Sequence, residues 1–317
     1  MAGKGTAGVA DRVRRIVLDE GAEDVAVAGL AREELWGRVR RCGSDLWLDT
    51  GDMEEAASLW NHEFSAFTTN NTLLNREVAK GTYDGLIERA AGLLRGQVPE
   101  KDLPLEIGFI LNARHGLRLV RRFGAMVSVE LHTDLADDVE RSVDYGRRFH
   151  DIAPRKFYIK VPFTPAGLLA ARKLGIEGIP VNCTLGFSAR QNHLIARVAE
   201  PTFVNVFLGR LNSFVSDNGL GDGNMVGERA ALSSHRSVRQ LREDFGVPTR
   251  QIAASMRDGD QVLTLAGVDV LTMPVKVARQ FEELSPDPES IVDNTAATPQ
   301  VQLAQGVDRA ALGIDLL

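Results

Sequence analysis

Only two cysteines occur in the 317 residues, Cys42 and Cys183, and neither has a partner at a spacing that suggests a disulfide framework or a metal site. Positive charge is not in excess either: 37 Lys and Arg stand against 43 Asp and Glu, a net charge of −6, so no global basic field exists to draw in nucleic acid or anionic lipid. Long apolar runs are missing. The longest near the start, Val25–Ala31, falls far short of the roughly 20 residues of a membrane span. The first 20 residues carry charges throughout and no apolar stretch of the secretory kind, so a reduced, cytoplasmic protein is expected. Six histidines show no His-x-Glu or His-Glu-x-x-His pattern, and no metal or other cofactor is expected. What remains is ordinary for a globular protein: 44% apolar, 25% charged and 6% aromatic residues exclude a disordered or collagen-like chain.

Short alternating apolar runs recur between longer helical patterns, the rhythm of repeated β-α units. Eight strands are expected, at Leu46–Asp49, Ser65–Asn70, Met126–His132, Lys156–Val161, Ile179–Thr184, Thr202–Leu208, Gln251–Met256 and Val268–Met273. Amphipathic segments such as Pro165–Leu174, Ala189–Val198, Leu232–Asp244 and Gly259–Ala266 separate them. This count fits a closed (β/α)8 barrel, an α/β fold of the TIM type, over residues 46–284. Residues 1–45 read as a helical N-terminal extension (Val9–Glu20 and Leu30–Arg41 around a Gly/Ala-rich link), and residues 285–317 as a proline-containing tail with a short apolar end. Both flanks are expected to pack outside the barrel or to mediate assembly into a homo-oligomer.

Within the strands, alternation separates two faces. Phe157, Ile159 and Val161 oppose Tyr158 and Lys160; Val181, Cys183 and Leu185 oppose Asn182 and Thr184; Val204, Val206 and Leu208 oppose Asn205 and Phe207. Val127, Val129 and Leu131 oppose Ser128, Glu130 and His132, and Leu46 and Leu48 oppose Asp49. The apolar parity should face the helices and the polar parity the barrel interior. A lysine, two acids, two asparagines and a threonine gathered there would cost several kcal/mol in desolvation without a use. Lys160 is the chemical centre of this set. An amine among apolar walls loses hydration, which disfavours its charged form, and a neutral amine forms a Schiff base with a carbonyl. Pro162 would end the strand and hold the lysine at its mouth. The same pattern also fits a structural cation paired with Asp49 or Glu130.

The runs LDTGD (48–52), TTNNTL (68–73), VSVEL (127–131), YIKVPFTPAGLLAARKLGIEGIPVNCTL (158–185), NVFLGRL (205–211) and AASMR (253–257) resemble, in order and spacing, the transaldolase family. The resemblance spans residues 46 to about 284. It implies a class I, metal-independent (β/α)8 transferase of aldehyde or ketone residues, acting on sugar phosphates in carbohydrate metabolism of the pentose phosphate kind. By the same resemblance Lys160 forms the imine, and Asp49 moves protons during C3–C4 cleavage. Glu130 and Thr184 position a water. Asn70, Asn182, Asn205 and Phe207 line the donor site, and Arg210, Ser255 and Arg257 bind phosphate. Two guanidiniums suit that task, each offering a planar fork of donors.

Two positions depart from the family. Its Asn-Pro pair after the threonines is Asn70-Asn71 here, and a small serine is replaced by Asn205, a longer amide in the donor pocket. Fructose-6-phosphate-type aldolases of the same fold carry a glutamine and a tyrosine where this chain has Glu130 and Phe207, and phenylalanine cannot move a proton. With the long 71–125 connection, this favours a transferase of the dihydroxyacetone unit over an aldolase. A relative specialised to another sugar pathway and a silent sugar-phosphate-binding barrel are the other readings. Of the weaker signals, the glycine-rich stretch Gly219–Gly227 is expected between the sixth strand and its helix, as a flexible loop or a lid near the phosphate. The short basic runs Arg38–Arg41, Arg121–Arg122 and Arg147–Arg148 read as solvated helix faces.

Overall fold

The expected strands form, each within a few residues of its predicted limits, because their β-branched and aromatic residues fill two surfaces at once. In the computed structural model, which describes residues 3–19, 26–27 and 29–315, they are β1 (Asp45–Asp49), β2 (Phe64–Thr68), β3 (Met126–Glu130), β4 (Phe157–Pro162), β5 (Val181–Thr184), β6 (Phe203–Phe207), β7 (Arg250–Ala254) and β8 (Val270–Met273). Each pairs in parallel with the next and β8 with β1, closing a (β/α)8 barrel.

The helices are α1 (Gly3–Leu18), α2 (Glu34–Arg41), α3 (Met53–Ala57), α4 (Asn71–Ala79), α5 (Asp84–Leu94), α6 (Leu103–Phe123), α7 (Val139–Ile152), α8 (Pro165–Ile176), α9 (Ala189–Val198), α10 (Leu208–Asp217), α11 (Val226–Phe245), α12 (Asp260–Thr264), α13 (Val275–Leu284) and α14 (Arg309–Leu312). Local chemistry starts and stops them. Thr164 caps α8 by accepting from Gly167 N at 2.9 Å, with Pro165 in the first turn, where no N–H is needed. Gly124 ends α6 at φ +67°, the left-handed conformation glycine adopts without strain.

Two apolar clusters form. The larger packs strand residues such as Leu46, Leu48, Val129, Ile159, Val161 and Val206 against the helices. The smaller lies inside the barrel: Trp47, Ala66, Phe203, Ile252, Ala254 and Val270, with Met126, Tyr158 and Phe207 against it. The inward parity is therefore polar towards the C-terminal strand ends, with an aromatic and aliphatic layer below them and Asp45 and Arg250 at the strand starts. Leu185 departs from expectation. It lies beyond β5 at φ +69° and is 42% exposed, so it does not face the helices.

Leu208 also departs, starting α10 rather than ending β6. The glycine-rich stretch accordingly lies between α10 and α11, where Gly221 bridges to Leu303 of the tail and Ala304 N donates to Leu220 O at 2.9 Å. A Cβ on Gly221 would sit 2.3 Å from Gln302 O, so the missing side chain allows a close tail contact. The tail continues along α11. Arg236 donates to Thr295 O and Ala297 O, and Arg229 pairs with Asp315 at 2.7 Å. Among the basic runs, Arg148 is not solvated: it pairs with Glu106 at 2.6 Å and lies over the Phe109 and Tyr145 rings. The link expected between the N-terminal helices falls largely on residues 20–25 and 28, and the C-terminal end on 316–317, outside the described residues. No helix of the described residues is long and apolar enough to cross a membrane.

Candidate active site

Parallel register sets Glu130 of β3, Lys160 of β4 and Asn182 of β5 side by side at one level of the barrel. The Lys160 ammonium is buried, 3.3 Å from Glu130 Oε1, and donates to Thr69 O at 3.2 Å. Of the two carboxylates expected as its counter-ion, Glu130 is the one in ion-pair range. The other Glu130 oxygen accepts from Asn71 N at 3.0 Å, so the carboxylate is held on one side and meets the amine on the other. Thr184, at the end of β5, is 2% exposed, and its hydroxyl has no hydrogen-bond partner among the described residues.

Asp49 ends β1. It accepts from the Thr68 hydroxyl at 2.8 Å, and Thr68 in turn meets Thr272 Oγ1 at 2.7 Å. Burial pushes its carboxyl above the ordinary range, and this outweighs the opposing effects of Lys160 and of the Thr68 hydrogen bond. A carboxyl whose proton affinity is raised in this way suits a group that takes and returns a proton.

The asparagines form a chain. Asn182 Nδ2 donates to Ser128 Oγ at 3.0 Å, and Asn182 Oδ1 accepts from Asn205 Nδ2 at 3.3 Å. Asn205 Nδ2 also donates to Cys183 O at 3.0 Å. The long amide at position 205 therefore joins β6 to β5 while still facing the cavity. Asn70 caps α4, accepting from Leu73 N at 2.9 Å, which engages its oxygen, and the residue also lines the cleft.

Arg210, on the first turn of α10, and Arg257, just beyond β7, are exposed, and among the described residues neither guanidinium has an acceptor. Arg210 lies over the Phe207 ring at 5.8 Å. Their platform is tight. Gly209 N donates to Ser255 O at 3.2 Å, and Ser255 takes φ +63°. A Cβ at Gly209 would fall 2.3 Å from that oxygen and 2.7 Å from Arg257 Cγ. Behind it, buried Glu228 of α11 accepts from Asn212 Nδ2 and Gln261 Nε2, while Gln261 Oε1 accepts from Arg257 N at 2.6 Å. Sequence reasoning missed this network, since a glutamate in the first turn of an amphipathic helix carries no sign of its burial.

An inner cavity of about 140 Å³ is lined by Asp49, Asn70, Lys160, Asn182, Asn205, Phe207, Arg210, Ser255 and Arg257 among others. It shares Asp49, Asn70, Lys160, Phe207, Arg210 and Arg257 with an outer cleft of about 740 Å³, which adds Glu130. Ten of the eleven candidate residues thus line these two spaces, and Thr184 sits on the neighbouring strand end. His132 instead caps a turn, accepting from Asp134 N at 3.2 Å. Among the described residues no group of three or more His, Cys, Asp or Glu could hold a metal ion. The arrangement offers an amine beside one carboxylate, a second carboxyl able to move protons, and two guanidiniums at the rim.

Comparison with known proteins points the same way. The sequence profile of the family described as Transaldolase/Fructose-6-phosphate aldolase matches residues 46–316. A "Probable transaldolase" of Thermus thermophilus is 32% identical over 242 residues, covering 75% of this chain and 90% of that protein, and the corresponding protein of a second strain of that organism matches equally. A "Transaldolase" of Xanthomonas oryzae pv. oryzae is 28% identical over 298 residues, covering 85% of this chain and 91% of its own.

Proposed function

The chain belongs to the transaldolase/fructose-6-phosphate aldolase family, and from that premise we propose that it is a transaldolase, transferring a dihydroxyacetone unit from a ketose phosphate to an aldose acceptor through a Schiff base on Lys160. The observation that carries this reading is the convergence in one cavity of buried Lys160, Asp49 and two guanidiniums that have no acceptor among the described residues.

In this reading the donor phosphate sits on Arg210 and Arg257, with Ser255 beside them, and the three-carbon end reaches inward past Asn70, Asn182, Asn205 and Phe207. Glu130 takes the Lys160 ammonium proton across their 3.3 Å contact. The amine then adds to C2, and the carbinolamine loses water to give the iminium. Glu130 and the Thr184 hydroxyl, which has no partner among the described residues, hold that water. Asp49 removes the C4 hydroxyl proton, the C3–C4 electron pair moves into the iminium, and an aldose phosphate leaves. The enamine on Lys160 waits for the acceptor, and the steps reverse. Phe207 offers no hydroxyl to protonate the enamine, which favours transfer over release of free dihydroxyacetone. Cys42 and Cys183 are unpaired, in keeping with a cytoplasmic setting.

The test has two parts. Borohydride reduction with fructose 6-phosphate should add the donor fragment to Lys160, and Lys160→Met should abolish the adduct; an adduct that persists in the variant refutes the assignment. Transfer to an aldose phosphate acceptor should outpace release of dihydroxyacetone, and equal rates would make the enzyme an aldolase.

A further inference from the structure

Barrel interiors are usually filled by branched aliphatic side chains. Here three rings stand in the layer below the site. Trp47 of β1 stacks on Tyr158 of β4 with centroids 5.4 Å apart and planes 3° from parallel. Phe203 of β6 meets both edge-on, at 4.9 Å and 76° to Trp47 and at 5.0 Å and 78° to Tyr158. Trp47 is further pinned by its indole N–H, which donates to Asp45 Oδ2 at 3.2 Å, and Asp45 is itself held by Ser65 Oγ at 2.7 Å.

Each ring lies two residues before a site residue on the same strand face: Trp47 before Asp49, Tyr158 before Lys160, Phe203 before Asn205. Successive residues of one face follow a period of two, so a ring and the residue above it move together with their strand. No backbone ladder joins these strands to one another. β1 pairs with β2 and β8, β4 with β3 and β5, and β6 with β5 and β7. The rings are thus a direct side-chain contact across the barrel between the strand carrying the proton-moving acid and the strand carrying the amine.

We propose that Trp47, Tyr158 and Phe203 form an aromatic tripod that sets the spacing of Asp49, Lys160 and Asn205, making them positioning residues for carbon–carbon cleavage. The proposal rests on the Schiff-base reading above and deepens it. Imine formation needs Lys160 and its neighbour Glu130 on the adjacent strand, a pair joined by the β3–β4 ladder. Cleavage in addition needs Asp49 at the right distance across the barrel. Loss of a strut should therefore separate the two steps, because a misplacement of about 1 Å can cost on the order of 100-fold in rate.

The experiment measures both steps in single turnovers with fructose 6-phosphate. Borohydride adduct formation reports the imine, and aldose phosphate release reports cleavage. Tyr158→Leu, Trp47→Leu and Phe203→Leu each remove one leg, and Tyr158→Phe keeps the ring. Near-ultraviolet circular dichroism checks that each variant is folded. The expected result is adduct formation within about threefold of the parent and cleavage reduced roughly 10- to 100-fold in the leucine variants. KM should change little, and Tyr158→Phe should behave as the parent. Trp47→Phe, which narrows the stack and keeps an aromatic side chain, gives a milder reading of the same ratio if a leucine variant does not fold. Equal losses in both steps, or none, overturn the tripod. Absence of any adduct in the parent overturns the Schiff-base reading instead.

Discussion

Replacing Glu228 by glutamine tests how the proposed phosphate end of the site is built. The carboxylate accepts from Asn212 Nδ2 at 3.0 Å and from Gln261 Nε2 at 2.5 Å, and it is 4% exposed. Glutamine keeps the shape but has one acceptor oxygen, so its amino group must confront one of those two donors. A hydrogen bond to a charged group contributes about 1.5–3 kcal/mol, and one such bond is lost with a donor left facing a donor. A destabilisation of about 3 kcal/mol is expected, read as a lower urea midpoint at unchanged slope. The functional effect should be selective. Gln261 fixes Arg257 N, and Asn212 belongs to the helix that carries Arg210, so slack in the network loosens both guanidiniums. Weakening one guanidinium–phosphate contact by about 1.5 kcal/mol lowers kcat/KM for fructose 6-phosphate roughly tenfold. Unphosphorylated fructose, measured in the same transfer assay at high concentration, should be nearly unaffected. If both donors lose activity by the same factor, Glu228 supports the fold and not the phosphate platform.

Other outcomes follow from single contacts. Burial acts to raise the Asp269 carboxyl, but His235, Arg242 and the Gln251 N–H outweigh it and hold it well below the usual carboxylate range. Its contribution to stability is therefore present above the unfolded value of about 4 and is lost as pH falls below it. Asp269→Asn should lower stability at pH 7 and flatten the acid limb of urea unfolding between about pH 5 and pH 2, and an unchanged limb refutes the assignment. Gly167→Ala would place a Cβ 2.1 Å from Pro162 O, so α8 must shift off the end of β4. The expected cost is about 3 kcal/mol, and a melting temperature equal to the parent's would show that the helix moves freely. Asn205→Ser removes the bonds to Cys183 O and to Asn182 Oδ1, leaving the Asn182 amide held by its bond to Ser128 Oγ. Its kcat/KM should change by different factors for ketose donors with and without a C1 hydroxyl, and parallel changes would remove Asn205 from donor selection.

Alternation along the chain determined much of this protein by itself. Strands of four to six residues with apolar residues at every second position must bury one face against helices, and this alone placed all eight strands and brought Lys160, Glu130, Asn182, Thr184 and Asp49 to the barrel side. The same alternation was blind where a ring looked like ordinary apolar filling: Trp47, Tyr158 and Phe203 meet only because three non-adjacent strands close into one ring. It also ran one residue too far at Leu185 and Leu208, where the chain had already turned. Whether Lys160 faced Asp49 or Glu130 depended on strand register, a relation between residues 30 apart in one case and more than 100 in the other. The Glu228 network, the tail across the glycine-rich loop and the two guanidiniums at the rim were likewise decided by tertiary structure. A side chain's pattern in sequence states which way it points, whereas its partner and its burial are set by what the closed barrel brings opposite it.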